Sequence, residues 1–212
     1  MIRESLVIPT GLFYAHVEPN HGNHEINLIT VQDIMLFLAP DLKLTFMAQT
    51  KLGENVTNTI GNLPPVGSEA IEFVLTGSDM KDISSKQFEG KNVVLNIFPS
   101  IDTGVCATSV RTFNKKVAGL ADTVVVCVSK DLPFAMKRFC GAEGIQNVML
   151  TSDFRNRGFS KNYGVELVDG GFAGLTARAI VVIDKDGKVK HTQLVEAIGQ
   201  EPDYDSALNA LS

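Results

Sequence analysis

Short β-branched runs alternate with amphipathic segments from residue 71 onward, and this alternation restricts the chain to an α/β layer fold with helices covering a central sheet. Ile71 to Thr76 has the half-alternation of a strand. Val93 to Phe98 is apolar and largely β-branched with Asn96 its single polar member, so it reads as a strand buried on both faces, and Pro99 stops it. Val110, Phe113, Val117 and Leu120 recur at helical spacing, which predicts one helix turning all four inward, with Lys115 and Lys116 near its C-terminal end. Thr123 to Ser129 is a second central strand. Pro133 to Cys140 predicts a short helix with proline in its first turn and Gly141 as its stop. Val148 to Thr151 and a helical stretch around Arg157 to Tyr163 continue the pattern. Ala179 to Asp184 and Val189 to Val195 flank Lys185-Asp186-Gly187-Lys188, where Asp-Gly marks a hairpin turn, and a last helix runs from about Pro202 to Leu211.

Charge narrows the set of partners. Nineteen basic side chains stand against twenty-four acidic ones, a net charge of -5, which disfavours a surface built to neutralise nucleic-acid phosphates or anionic lipid. No run approaches the ~20 uninterrupted apolar residues of a bilayer span. The expectation is one ordinary soluble domain, or one domain plus an appendage, with no nucleic-acid or membrane partner. Residues 1–46 read differently from the rest. They hold His16, His21 and His24, three of the four histidines, with Arg3 and Lys43 against five acids. A transit peptide should be basic and acid-poor. A secretory signal fails because Glu4 cancels Arg3 and Pro9 interrupts the apolar run. Residues 1–46 are therefore expected to be a loose, disordered extension or the product of a misassigned start, with Met47 the true beginning and 47–212 the folded domain.

Three cysteines, Cys106, Cys127 and Cys140, are too few to staple a secreted scaffold, which points to a reducing, cytoplasmic setting where paired thiols serve catalysis, redox sensing or metal binding. Cys106 lies where a buried strand turns into a helix. The unpaired N–H groups and the positive dipole end of a helix start favour a sulfur anion. Moving a cysteine pKa from about 8.5 to about 6 raises the ionised fraction at pH 7 from roughly 3% to roughly 90%, only about thirtyfold, so rapid chemistry must also stabilise a transition state. Thr103, one helical turn before Cys106, is placed to do this. The competing reading makes Cys106 a small hydrophobe in a helix. Cys127, inside Thr123-Val124-Val125-Val126-Cys127-Val128, reads as core.

Pro99, Thr103 and Cys106 reproduce the Pro-x-x-x-Thr-x-x-Cys pattern of peroxiredoxins, and Ser129-Lys130-Asp131-Leu132-Pro133-Phe134-Ala135-Met136-Lys137-Arg138-Phe139-Cys140 resembles the signature of one branch, the bacterial thiol peroxidases. The resemblance runs from about Met47 to the C-terminus, includes Glu201-Pro202-Asp203-Tyr204, and leaves residues 1–46 without a counterpart. It implies a thioredoxin-like fold, a central mixed β-sheet flanked by helices, opened by an N-terminal hairpin within Thr50 to Asn62. By the same resemblance Cys106 would be the peroxidatic nucleophile that attacks a hydroperoxide, hydrogen peroxide or an organic one, and becomes a sulfenic acid. Thr103 would hydrogen-bond thiolate and peroxide, and Pro99 would close the pocket against water. Arg178 would supply the positive charge beside the sulfur, with Arg111 a second candidate or a surface pairing residue. Cys140 would be the resolving cysteine, forming an intramolecular disulfide with Cys106 that thioredoxin reduces. Homodimerisation is expected and no cofactor is.

Two cysteines on separate helices seldom meet the 4.4 to 6.8 Å Cα spacing of a disulfide, so both helices are expected to unwind locally. The rival readings are a thioredoxin-fold disulfide oxidoreductase and a noncatalytic thioredoxin-fold interaction module. The former needs a Cys-x-x-Cys pair, and the cysteines here are 21 and 13 positions apart. A metal centre would need clustered ligands, whereas His191 stands alone and the other histidines lie in residues 1–46.

Overall fold

The computed structural model describes residues 47–120 and 122–211, so the expectations for residues 1–46 lie outside the described residues. Strands β1 (Gln49–Leu52) and β2 (Asn55–Asn58) form the expected antiparallel hairpin, turning at Gly53 in the left-handed region. The remaining strands are β3 (Val74–Gly77), β4 (Asp82–Ser84), β5 (Asn92–Ile97), β6 (Thr123–Ser129), β7 (Met149–Ser152), β8 (Ala179–Ile183) and β9 (Val189–Leu194). They build one mixed sheet in the order β4-β3-β7-β6-β5-β8-β9. β5, β6 and β7 are parallel, joined by two crossover helices, α1 (Gly104–Lys116) and α2 (Pro133–Glu143). β8 and β9 add antiparallel at one edge, and β3 and β4 at the other. α3 (Phe159–Asn162) and α4 (Tyr204–Asn209) complete the element order.

The two-residue period of the strands divides the core between the two faces of the sheet. Val93, Leu95, Ile97, Val126, Val128, Ala179 and Val181 pack on one side with Phe73, Phe159 and Tyr163. Val94, Phe98, Val125, Cys127, Ile180 and Val182 pack on the other, under α1, α2 and α4, with Val110, Phe113, Met136 and Ala207. This second layer also takes in Cys106 and, at its margin, Cys140.

Several boundaries differ from the sequence reading: the strand expected at Ile71 to Thr76 starts at Val74 and ends at Gly77, and the helical stretch around Arg157 to Tyr163 is only Phe159–Asn162. Leu120 is exposed rather than inward, because α1 ends at its cap Val117 and the periodic pattern outlasts the helix. Gly141 does not stop α2: the helix runs on to Glu143 and is closed by Gly144 in the left-handed conformation, whose N–H donates to the Cys140 carbonyl. The last helix begins only at Tyr204, where the Asp203 side chain accepts from the Ser206 N–H.

Gly164 makes a close backbone approach that no other residue fits. Its φ is 69°, and a Cβ there would stand 2.2 Å from the Asn62 carbonyl oxygen. Gly164→Ala is expected to cost more than about 2 kcal/mol, read in thermal unfolding as a Tm lowered by about 5 °C or more. An unchanged Tm would contradict this.

Candidate active site

The C-terminal ends of β5 and β6 deliver the chain to the N-termini of α1 and α2, so Pro99, Thr103, Cys106 and Arg178 gather at one end of the sheet, whereas Cys140, in the last turn of α2, lies beside Thr123 to Val125 at the start of β6. Pro99 is buried immediately after β5. Cys106 is the third residue of α1, in its first turn, and is 1% exposed. The antiparallel register pairs Ile97 with Ala179, which sets Arg178 level with the end of β5. From there the Arg178 side chain reaches across the site, and its Nη2 donates to Cys106 Sγ at 3.2 Å.

Arg178 is also 1% exposed. A buried guanidinium is stable only if its donors find acceptors or a counter-charge. Its Nε donates to the Ile198 carbonyl at 2.8 Å, and Nη2 is aimed at the sulfur. Ile198 is in turn fixed by its N–H to the Lys51 carbonyl of β1, while the Lys51 N–H reaches the Glu196 carbonyl. The N-terminal hairpin therefore holds the loop that holds the arginine. A buried cation and a helix N-terminus converging on one sulfur form a site complementary to a sulfur anion.

Thr103 occupies the N-cap of α1 in an extended conformation, φ -107° and ψ 144°. It stands before the helix rather than within its first turn, and its exposed hydroxyl donates to the Ser100 carbonyl at 3.0 Å. Arg111 is drawn away from the sulfur. It makes a two-pronged pair with Glu143 of α2, at 2.9 and 2.8 Å, and lies 5.6 Å over the Phe139 ring. That pair holds the Glu143 carboxyl below the usual carboxylate range.

Cys140 is half-buried on α2, and burial pushes its thiol up. All three cysteines are free thiols. The Arg111–Glu143 pair and the Asn114 contacts to Gln146 and Asn147 show α1 and α2 side by side. Cys106 lies in the first turn of α1 and Cys140 in the last turn of α2, so the two thiols occupy opposite ends of neighbouring helices.

Three contributors have no role in the sequence reading. Asn96, the lone polar residue of β5, donates through Nδ2 to Ser109 Oγ at 3.2 Å, and Ser109 Oγ donates to the Cys106 carbonyl at 2.8 Å. A buried polar pair thus supports the first turns of α1 from beneath. Thr176 Oγ1 donates to the Phe98 carbonyl at 2.6 Å, securing the exit from β5. Only Asn96 carried a signal, as a polar residue in an otherwise apolar strand.

Cys127 is fully buried, and burial pushes its thiol up to about 12. At pH 8 about a quarter of an ordinary cysteine, with a pKa near 8.5, is thiolate and so open to alkylation by iodoacetamide. Cys127 is expected to stay unlabelled in the native protein and to react once the chain is unfolded, as peptide mass mapping would show. Native labelling at an ordinary rate would contradict its place in the core.

The comparisons with known proteins agree with this fold. The Redoxin family model matches residues 65–208. The thiol peroxidase of Mycobacterium tuberculosis is 61% identical over 165 residues, covering 78% of this chain and 99% of that protein. The thiol peroxidase of Corynebacterium glutamicum is 53% identical over 166 residues, covering 78% of this chain and 100% of that protein. The crystal structure of a peroxiredoxin-like protein from Aquifex aeolicus superposes with a TM-score of 0.73 at 41% identity, covering 77% of this chain and 95% of that one. The chain belongs to the redoxin family and, within it, to the thiol peroxidases.

Proposed function

We propose that Cys106 is the peroxidatic cysteine of a thiol-dependent peroxidase that reduces hydrogen peroxide and organic hydroperoxides. The observation that carries this reading is the buried 3.2 Å contact from the Arg178 guanidinium to Cys106 Sγ at the start of α1. The sulfur anion attacks the distal oxygen of the hydroperoxide. The S–O bond forms as the O–O bond breaks, and the electron pair leaves on the second oxygen, which takes a proton and departs as an alcohol or as water. Cys106 is thereby oxidised to a sulfenic acid that keeps the distal oxygen and its hydrogen. The guanidinium stabilises the negative charge as it passes from sulfur to the departing oxygen, since it can donate to either through the same planar fork. Thr103 adds its hydroxyl once substrate enters, and the buried Pro99 keeps bulk water from the sulfur.

The Cys140 thiol then displaces the sulfenic oxygen as water, leaving a Cys106–Cys140 disulfide. Burial pushes the Cys140 thiol up, which disfavours its thiolate and so its direct attack on the oxidant while α2 is folded. Two electrons from a dithiol, thioredoxin in this proposal, restore both thiols through a mixed disulfide. No helix among the described residues is long and apolar enough to cross a membrane, and a reducing cytoplasm would keep such a dithiol available.

About one equivalent of hydroperoxide added to the reduced chain is expected to yield a Cys106–Cys140 bond in peptide mass mapping. Cys106→Ser should consume no peroxide. Cys140→Ser should consume about one equivalent and then stall as sulfenic or over-oxidised sulfur. Equal peroxide consumption by Cys106→Ser and the unmutated chain would end the assignment, and no oxidation at all would leave a binding module.

A further inference from the structure

Asp131 belongs to the run that ends at Cys140, yet none of the chemistry above uses it. Its carboxylate accepts three hydrogen bonds: from Ser100 Oγ at 2.7 Å, from the Ile101 N–H at 2.6 Å and from Ser129 Oγ at 2.7 Å. The residue is itself anchored to the sheet. Its N–H donates to Ser129 Oγ at 3.2 Å, and its carbonyl accepts from the Ser152 hydroxyl at the end of β7. Ser100 and Ile101 open the turn that leads to Cys106. The Ser100 carbonyl holds both the N–H and the hydroxyl of Thr103, and Ser100 Oγ accepts from the Asp102 N–H. The whole turn is therefore tied to the sheet through one carboxylate.

The start of α1 needs such a tie. Thr103 makes no side-chain cap bond, the first turn carries no acidic residue, and Gly104 opens the helix without a side chain to pack. α2 likewise begins at Leu132 with no side-chain cap and no acid in its first turn. Asp131 directly precedes that cap, so one negative charge serves the N-termini of both cysteine-bearing helices. The ion pairs that link these segments, Arg138–Asp102 and Arg111–Glu143, are exposed, and such pairs contribute little in water. A partly buried carboxylate with three donors outweighs them.

We propose that Asp131 is a positioning residue whose carboxylate latches the Ser100–Thr103 turn, holding Cys106 beside Arg178 in the reduced chain and setting how readily Cys106 leaves for Cys140. This rests on the reading of Cys106 and Cys140 as a reactive pair. Opening the latch has opposite consequences for the two steps. The closed turn keeps the sulfur against the guanidinium for the peroxide, whereas disulfide formation draws only on the opened population.

Two variants of the full reduced chain test the latch. Ser100→Ala removes one of three donors, and Asp131→Asn puts an amide N–H₂ where a donor must be accepted. Losing a hydrogen bond to a charged group is expected to raise amide exchange over residues 101–107 by about tenfold in Ser100→Ala and by more in Asp131→Asn, with exchange in β6 unchanged. In single-turnover mixing with hydrogen peroxide, the disulfide step should accelerate by a similar factor and the peroxide step should not. Unchanged exchange over 101–107 in Ser100→Ala overturns the latch, and so does exchange raised equally through β6, which would mark a general loss of stability. Raised local exchange with no Cys106–Cys140 bond in any variant, the unmutated chain included, would sustain the latch and sink the peroxidase reading instead.

Discussion

A guanidinium buried against a sulfur is the interaction on which the rest of this structure depends. Neither partner is comfortable alone: a cation withdrawn from water costs several kcal/mol unless it is paired, and a cysteine in an apolar layer is ordinarily inert. Arg178 and Cys106, 72 positions apart in sequence, each answer part of the other's need, while the buried Arg178 Nη1 is left without a partner. The pairing requires β8 to lie antiparallel beside β5, so that Arg178 arrives level with the end of the strand that feeds α1. It also requires the loop carrying the Ile198 carbonyl, which β1 holds in place through Lys51. The mixed sheet and the small hairpin outside it thus serve one contact.

Cys127 shows what burial does without such a partner. It shares the apolar layer with Cys106, has only the weak donor Asn96 Nδ2 at 3.5 Å, and its thiol is pushed up to about 12. Cys140 is intermediate, half-buried and pushed up in the same direction. Three chemically identical side chains are separated into different roles by what surrounds them. The geometry that places Cys106 beside a cation also sets it apart from Cys140, because one lies in the first turn of α1 and the other in the last turn of α2. In the proposed mechanism, reaction with an oxidant and reaction between the cysteines draw on different conformations of one turn.

Much of this fold is written locally. The runs at Val93 and Thr123 are strands because β-branched side chains fit a sheet buried on both faces, and the inward positions Val110, Phe113 and Val117 follow from helical spacing alone. Ends are less legible. Leu120 continued the period beyond the point where the helix stops, and Gly141 resembled a stop that Gly144 provides, since a glycine ends a helix only where the backbone takes up the left-handed conformation. For the site, Pro99, Thr103 and Cys106 are close in sequence and visible as a pattern. Arg178 carried no local signal and was reached through family resemblance. The Ile198 carbonyl, Ser109 beneath Cys106 and the Asp131 clasp on Ser100 join segments far apart in the chain, and no local pattern encodes such pairs.

The contact between Arg178 and Cys106 can be tested by the rate of the first chemical step. The second-order rate of sulfenic acid formation at Cys106, measured in single turnover on the unmutated chain and on Arg178→Ala, isolates what the guanidinium contributes. Removing a charge-assisted donor from a buried transition state predicts a fall of about a hundredfold or more, with disulfide formation still following once the sulfur is oxidised. A rate within about twofold of the unmutated chain would contradict the placement of that charge on the reacting sulfur.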